Sequence, residues 1–193
     1  PEILPALCSY VSIKDVSVRW AVEETVKKIA ERHLQNIHEY VLKKEIRVSH
    51  KRFLLFVLGE VGSRESYDVF MQYISSEHAA LQAMSLRGLS ILKEAPPAEM
   101  LSRLAEHQNS AVRRYLARTL AYSQAADVLR VCAGLLADDD FDVRHAAFHS
   151  IKKHARQALP VLNALREDPA CTGPSRLMVD DLIRSVYHSG DEQ

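Results

Sequence analysis

The sequence predicts an all-α fold, an α-solenoid of about six helix pairs stacked as an α–α superhelix. Three observations predict it. The first is a repeated Val-Arg pair: Val112 and Val143 lie 31 positions apart, and Val18 lies 94 before Val112, close to three such steps. The second is a buried stripe in phase with that period. Taking Val18, Ser49, Leu81, Val112, Val143 and Pro174 as anchors, the residue eight further on is Val26, Val57, Leu89, Leu120, Ile151 or Leu182. All are aliphatic, and spacing of i, i+4, i+8 is one face of an α-helix. The third is composition: six glycines and seven prolines in 193 residues, with abundant Leu, Ala, Arg and Glu, favour helix over strand.

The units follow in order. Unit one (1–30) pairs a first helix carrying Leu7 and Tyr10 with a second carrying Val18, Val22 and Val26 behind an Asp15 start. Unit two (31–62) sets His38 and Val41 against Phe53 and Val57 and ends in GEVGS. Unit three (63–94) sets Phe70 and Tyr73 against Leu81 and Leu89, and the Pro96-Pro97 pair breaks the chain after it. Unit four (95–123) sets Leu101 and Leu104 against Val112, Leu116 and Leu120, with Asn109 or Ser110 as the cap. Unit five (124–155) sets Cys132 and Leu135 against Val143, Ala147 and Ile151, with Asp140 or Asp142 as the cap. Unit six (156–188) fades, since Asn163 and Arg166 occupy the apolar column of its first helix. Residues 189–193 read as a tail. Pro97 and Pro174 suit the first turn of a following helix, where a missing N–H costs nothing.

Bulk properties narrow the function classes. Lys+Arg and Asp+Glu both count 25, so no overall field draws the chain to nucleic acid or to a membrane surface. No apolar run approaches the roughly 18 residues that span a bilayer. Three cysteines with no CxxC spacing support neither a disulfide framework nor a thiolate zinc site, so a reducing, cytoplasmic setting is expected. The chain opens PEILPALC without Met, which reads as a single repeat domain excised from a longer protein. Ile3, Leu4, Leu7 and Cys8 would leave an apolar flank for a preceding domain of the same chain or for self-association.

The segments DxxVR (Asp15, Val18, Arg19), NSAVRRYLARTL (109–120) and FDVRHAAFHSI (141–151) resemble second helices of HEAT repeats. VLGEVGS (57–63) resembles the unit ending of the short, about 31-residue HEAT variety named after phycobilisome lyases. The resemblance implies that Asp15, Asn109 and Asp140, with Arg19, Arg113 and Arg144, form a structural ladder tying adjacent turns. It also implies enzymatic alternatives, which the residues do not favour. Deoxyhypusine hydroxylase-like members carry His-Glu pairs at helix starts, but the equivalent places here read His50-Lys51 and His145-Ala146, and His38-Glu39 falls on a first helix, out of phase. HEAT-like alkylpurine glycosylases bind DNA on a basic concave surface, which the neutral balance and single Trp argue against. Nothing points to a chromophore, and no cofactor or catalytic residue is expected.

Asp142, His145 and His149 share one helical face at i, i+3, i+7, and could supply three ligands to a metal ion. Asp142 is equally placed as a cap, while Asp138 and Asp139 read as a solvated turn. The face opposite the buried stripe would carry Trp20, Lys51, Leu55, Arg87, Arg114, Arg118, His145, His149, Lys152 and Arg156, with Leu58 beside Leu55. Exposed arginines with aromatic anchors are the composition of interaction hot spots. The expected function is a non-catalytic scaffold whose concave face takes a partner protein, an acidic peptide or another domain of its parent chain. A packed position for Leu55 and Leu58 and a merely solvated basic face are the bland alternative.

Overall fold

The computed structural model describes residues 3–188, and the expected tail at 189–193 lies outside them. Among the described residues the chain forms twelve α-helices and no strand. They are α1 Ile3–Ser9, α2 Val16–Arg32, α3 Leu34–Leu42, α4 Val48–Val61, α5 Tyr67–Tyr73, α6 Ala79–Leu92, α7 Ala98–Ala105, α8 Ser110–Thr119, α9 Ala126–Gly134, α10 Phe141–Lys152, α11 Ala155–Glu167 and α12 Gly173–His188. Each anchor lies on an even-numbered helix, and its upstream partner column lies on the odd-numbered helix before it or, for Tyr10 and Leu135, in the short 3-10 turn that follows that helix. The chain divides into two compact units, Pro1–Leu92 and Lys93–Gln193.

In the first unit α4 packs on α2 and α6, with α5 against α6. Asp15 starts α2: its carboxylate accepts from the backbone N–H groups of Ser17 and Val18 at 2.8 and 3.2 Å, a cap contributing about 1 kcal/mol. Gly62 ends α4 in the left-handed region at φ 67°, where an L side chain is disfavoured, and its N–H closes on the Leu58 carbonyl. Val26, Val57 and Leu89 are all buried. The anchors themselves are less regular: Leu81 is buried, Val18 half-buried and Ser49 exposed. The first turn of α4, VSHKR, is polar, so its apolar arc begins only at Phe53.

Two expectations change here. Leu4 and Cys8 turn into the core rather than out of it, leaving Ile3 as the exposed residue of that flank. Leu55 and Leu58 are fully buried, because α4 is covered from both sides and nearly its whole second half is apolar. His38 is a core residue: its Nε2 lies 2.9 Å from Ser66 Oγ, and burial, opposed by the nearby Glu65 charge, holds its pKa below the ordinary imidazole value.

In the second unit α8 packs on α10 and α10 on α12, while α7 packs on α9 and α9 on α11. Like helices thus stack on like, in two layers. Leu120, Ile151 and Leu182 are buried, as are Val112, Leu116, Val143 and Ala147. Asn109 caps α8 through Ala111 N–H at 3.0 Å. Asp140 caps α10 through the N–H groups of Asp142 and Val143 at 2.8 and 3.3 Å. Asp142 is therefore not the cap. It sits inside the first turn, and its carboxylate accepts from Arg114 Nη1 at 2.9 Å.

The ladder of Arg and acid is present with a different acceptor. Arg113 binds Asp138 through two parallel N–H···O bonds of 2.6 and 2.8 Å, and its third arm reaches the carbonyls of His107 and Gln108. Asp138 is thus no solvated turn: its side chain is 6% exposed. Arg144 repeats the motif on the carbonyls of Asp138 and Asp139 at 2.7 and 2.9 Å. Further along, His154 Nε2 lies 3.0 Å from the Ala121 carbonyl oxygen and the residue serves as the N-cap position of α11. Because α10 stops at Lys152, Arg156 falls in the first turn of α11 and not on the α10 face.

The three cysteines are free thiols and buried, and burial pushes Cys8 up to about 11 and Cys132 up to about 12. No helix among the described residues is long and apolar enough to cross a membrane.

Candidate functional site

The residues assigned to a partner-facing surface separate into four groups. Leu55 leaves it outright, being core. Lys51 and Arg87, both half-buried, stay on the first unit but are engaged within it. The Lys51 ammonium lies 5.5 Å from the centre of the Tyr73 ring. Arg87 pairs with Glu60 and its guanidinium carbon lies 4.5 Å over the Phe56 ring.

Trp20 is 65% exposed on α2. It borders a groove of about 330 Å³ with Val11, Val16, Arg19, Arg52 and Phe53. Tyr10, Ile13 and Val16 are exposed in the same stretch of chain.

The remaining residues lie in the second unit. Arg118, His145, His149, Lys152 and Arg156 are exposed, and Arg114 is half-buried. Aromatic rings organise them. Tyr115 lies under both Arg114 and Arg118, at 4.9 and 5.4 Å from their guanidinium carbons. Phe148 sits 5.6 Å from the Lys152 ammonium, and Tyr122 sits 4.6 Å from that of Lys153. Each such contact contributes about 0.5–1 kcal/mol at an exposed site, enough to bias a long side chain toward one direction. A recess of about 450 Å³ lined by Lys152, Lys153, Arg156, Gln157 and Ser185 continues the basic surface. Among the described residues, Arg118, Lys152 and Arg156 form no ion pair with a carboxylate.

Asp142, His145 and His149 do share one face of α10, but they do not converge on one point. Asp142 is drawn to Arg114, while the two imidazoles meet each other with Nε2 atoms 3.0 Å apart. Among the described residues no group of three or more His, Cys, Asp and Glu side chains is arranged around a metal position. Sequence reasoning missed the aromatic partners. Phe141 four before His145, and Tyr115 three before Arg118, were the available signals, since i, i+3 and i, i+4 side chains meet on a helix.

Residues 97–171 match the family model of HEAT repeats. This segment resembles a HEAT array. The matched stretch runs from the start of α7 to the end of α11, and so contains both capping motifs, the Arg113 fork and the whole basic and aromatic face of α8 and α10. No curated protein matches the chain. Among solved structures, an engineered protein of the Northeast Structural Genomics Consortium shares 15% identity over 96% of this chain and 98% of its own, with a TM-score of 0.60. A designed armadillo repeat protein in complex with the peptide (KR)4 shares 10% identity over 94% and 98%, with a TM-score of 0.58. A computationally designed armadillo repeat protein for modular peptide recognition shares 11% over 94% and 99%, with a TM-score of 0.55. These likenesses show the fold: an all-α, armadillo-like solenoid.

Proposed function

We propose that the chain is a non-catalytic protein-binding module whose HEAT segment captures an acidic peptide or an acidic helix of a partner on the exposed face of α8 and α10. The observation that carries this is the set of exposed cations, Arg118, Lys152 and Arg156, which form no ion pair with a carboxylate among the described residues and in two cases are held over aromatic rings. Unpaired cations on a pre-ordered surface lose little entropy on meeting an anion, which favours capture over mere solvation. A designed armadillo repeat protein of similar fold is in complex with the peptide (KR)4. The face here itself supplies the positive charge, so the complementary peptide is acidic.

The test is fluorescence anisotropy with a labelled polyglutamate peptide. Wild-type chain binds, and binding weakens as salt rises because exposed charges are screened within about 10 Å at 0.1 M. Arg118→Glu together with Lys152→Glu weakens capture by about tenfold or more, ~1.4 kcal/mol, with an unchanged helical melt. Arg114 is the wrong residue to reverse. A carboxylate there would face Asp142 and disturb the α8–α10 contact itself. Equal affinity of the double variant and the wild type would sink the proposal.

A further inference from the structure

We infer that His145 and His149 together form a site for one divalent transition-metal cation of the zinc, copper and nickel class on the exposed face of α10. The two Nε2 atoms lie 3.0 Å apart. Two imidazole nitrogens that bind one ion at about 2.0–2.1 Å, in tetrahedral or right-angled arrangement, stand about 2.9–3.4 Å from each other. The observed separation falls within that span.

Without a metal the two rings share a hydrogen bond between these nitrogens, and a cation would displace its proton. The centroids are 4.3 Å apart and the rings are inclined at 73°. Neighbouring aromatics hold this arrangement. Phe141 stacks on His145 at 5.7 Å and 28°, and Phe148 meets His149 edge-on at 5.5 Å.

Only the imidazoles serve as protein ligands. Asp142 is occupied by Arg114, and the cations nearby, Arg114 and Lys152, cannot ligate. Two ligands leave the other coordination positions to water, or to a carboxylate of the acidic peptide proposed above. That last role rests on the peptide-binding reading, whereas metal binding itself does not. The set is chemically distinct from a di-iron centre built on His-Glu pairs, because Ala146 follows His145 and Ser150 follows His149.

The experiment is calorimetric titration of the untagged chain with zinc chloride, and separately with copper(II) chloride, with no peptide present. Wild-type chain takes up one ion. His145→Ala and His149→Ala each abolish the binding heat while keeping the wild-type melt, since both side chains are exposed. Asp142→Asn retains it. Three outcomes overturn the inference: no binding of either cation by wild type, binding that survives both histidine substitutions, or loss of binding in Asp142→Asn. Because peptide is absent throughout, failure here leaves the anisotropy result untouched, and the reverse also holds.

Discussion

Arg113 shows what one side chain contributes when all three of its guanidinium nitrogens donate. Its planar fork matches the Asp138 carboxylate on one side and two loop carbonyls on the other. One residue thus ties the start of its own helix to the loop that precedes α10. The pair is largely shielded, with side chains 14% and 6% exposed, so removing one member leaves the other without compensation in a poorly solvated place. Arg113→Ala is expected to cost roughly 3–5 kcal/mol, near the full stability of many domains, whereas Arg118→Ala on the exposed face should cost under about 0.5 kcal/mol. Arg113→Lys should rescue little, because a point-like ammonium cannot span both acceptors. Chemical denaturation of the three variants checks the ranking. Similar midpoints for Arg113→Ala and Arg118→Ala would contradict it.

At the scale of elements, Gly88 marks a close helix approach. A Cβ built there would lie 2.4 to 2.7 Å from three atoms of the buried Phe70 ring, closer than real contacts allow. α6 can approach α5 only because position 88 has no side chain. Gly88→Ala should therefore destabilise by about 1–3 kcal/mol, despite alanine's better helix propensity. Adding Phe70→Leu should return part of that loss, and the double-mutant cycle should show coupling of about 1 kcal/mol. Additive effects would mean that the ring does not limit the approach. This crossing also shows where legibility ended. The helix positions and the buried column Val26, Val57, Leu89, Leu120, Ile151, Leu182 were readable, because helical period and repeat period both act on them. Leu55 was not, since a helix covered on two sides buries a wider arc than a single stripe. Asp138 was not, because nothing in DDDFDV tells which acid meets an arginine 25 residues earlier. The basic face was legible as residue types; the His145–His149 approach depends on side-chain direction within one helix, which spacing permits without requiring.

At the scale of the whole molecule, the contacts of a helical-repeat chain are local. α4 is held by α2 and α6, and α10 by α8 and α12, within separate compact units. Stability in such arrays is a sum of unit and nearest-neighbour contributions, so damage should stay near its source. Leu58→Ala removes a fully buried side chain from α4 and should cost about 2–5 kcal/mol. Hydrogen exchange should then rise across α2, α4 and α6, while amides of α8 and α10 keep their wild-type protection. Capture of the polyglutamate peptide should persist at temperatures where the first unit already exchanges freely. Uniform acceleration through all twelve helices would instead mean that the chain opens as one cooperative body. In that case any core substitution, however far from Arg118 and Lys152, would weaken the acidic-peptide site with it.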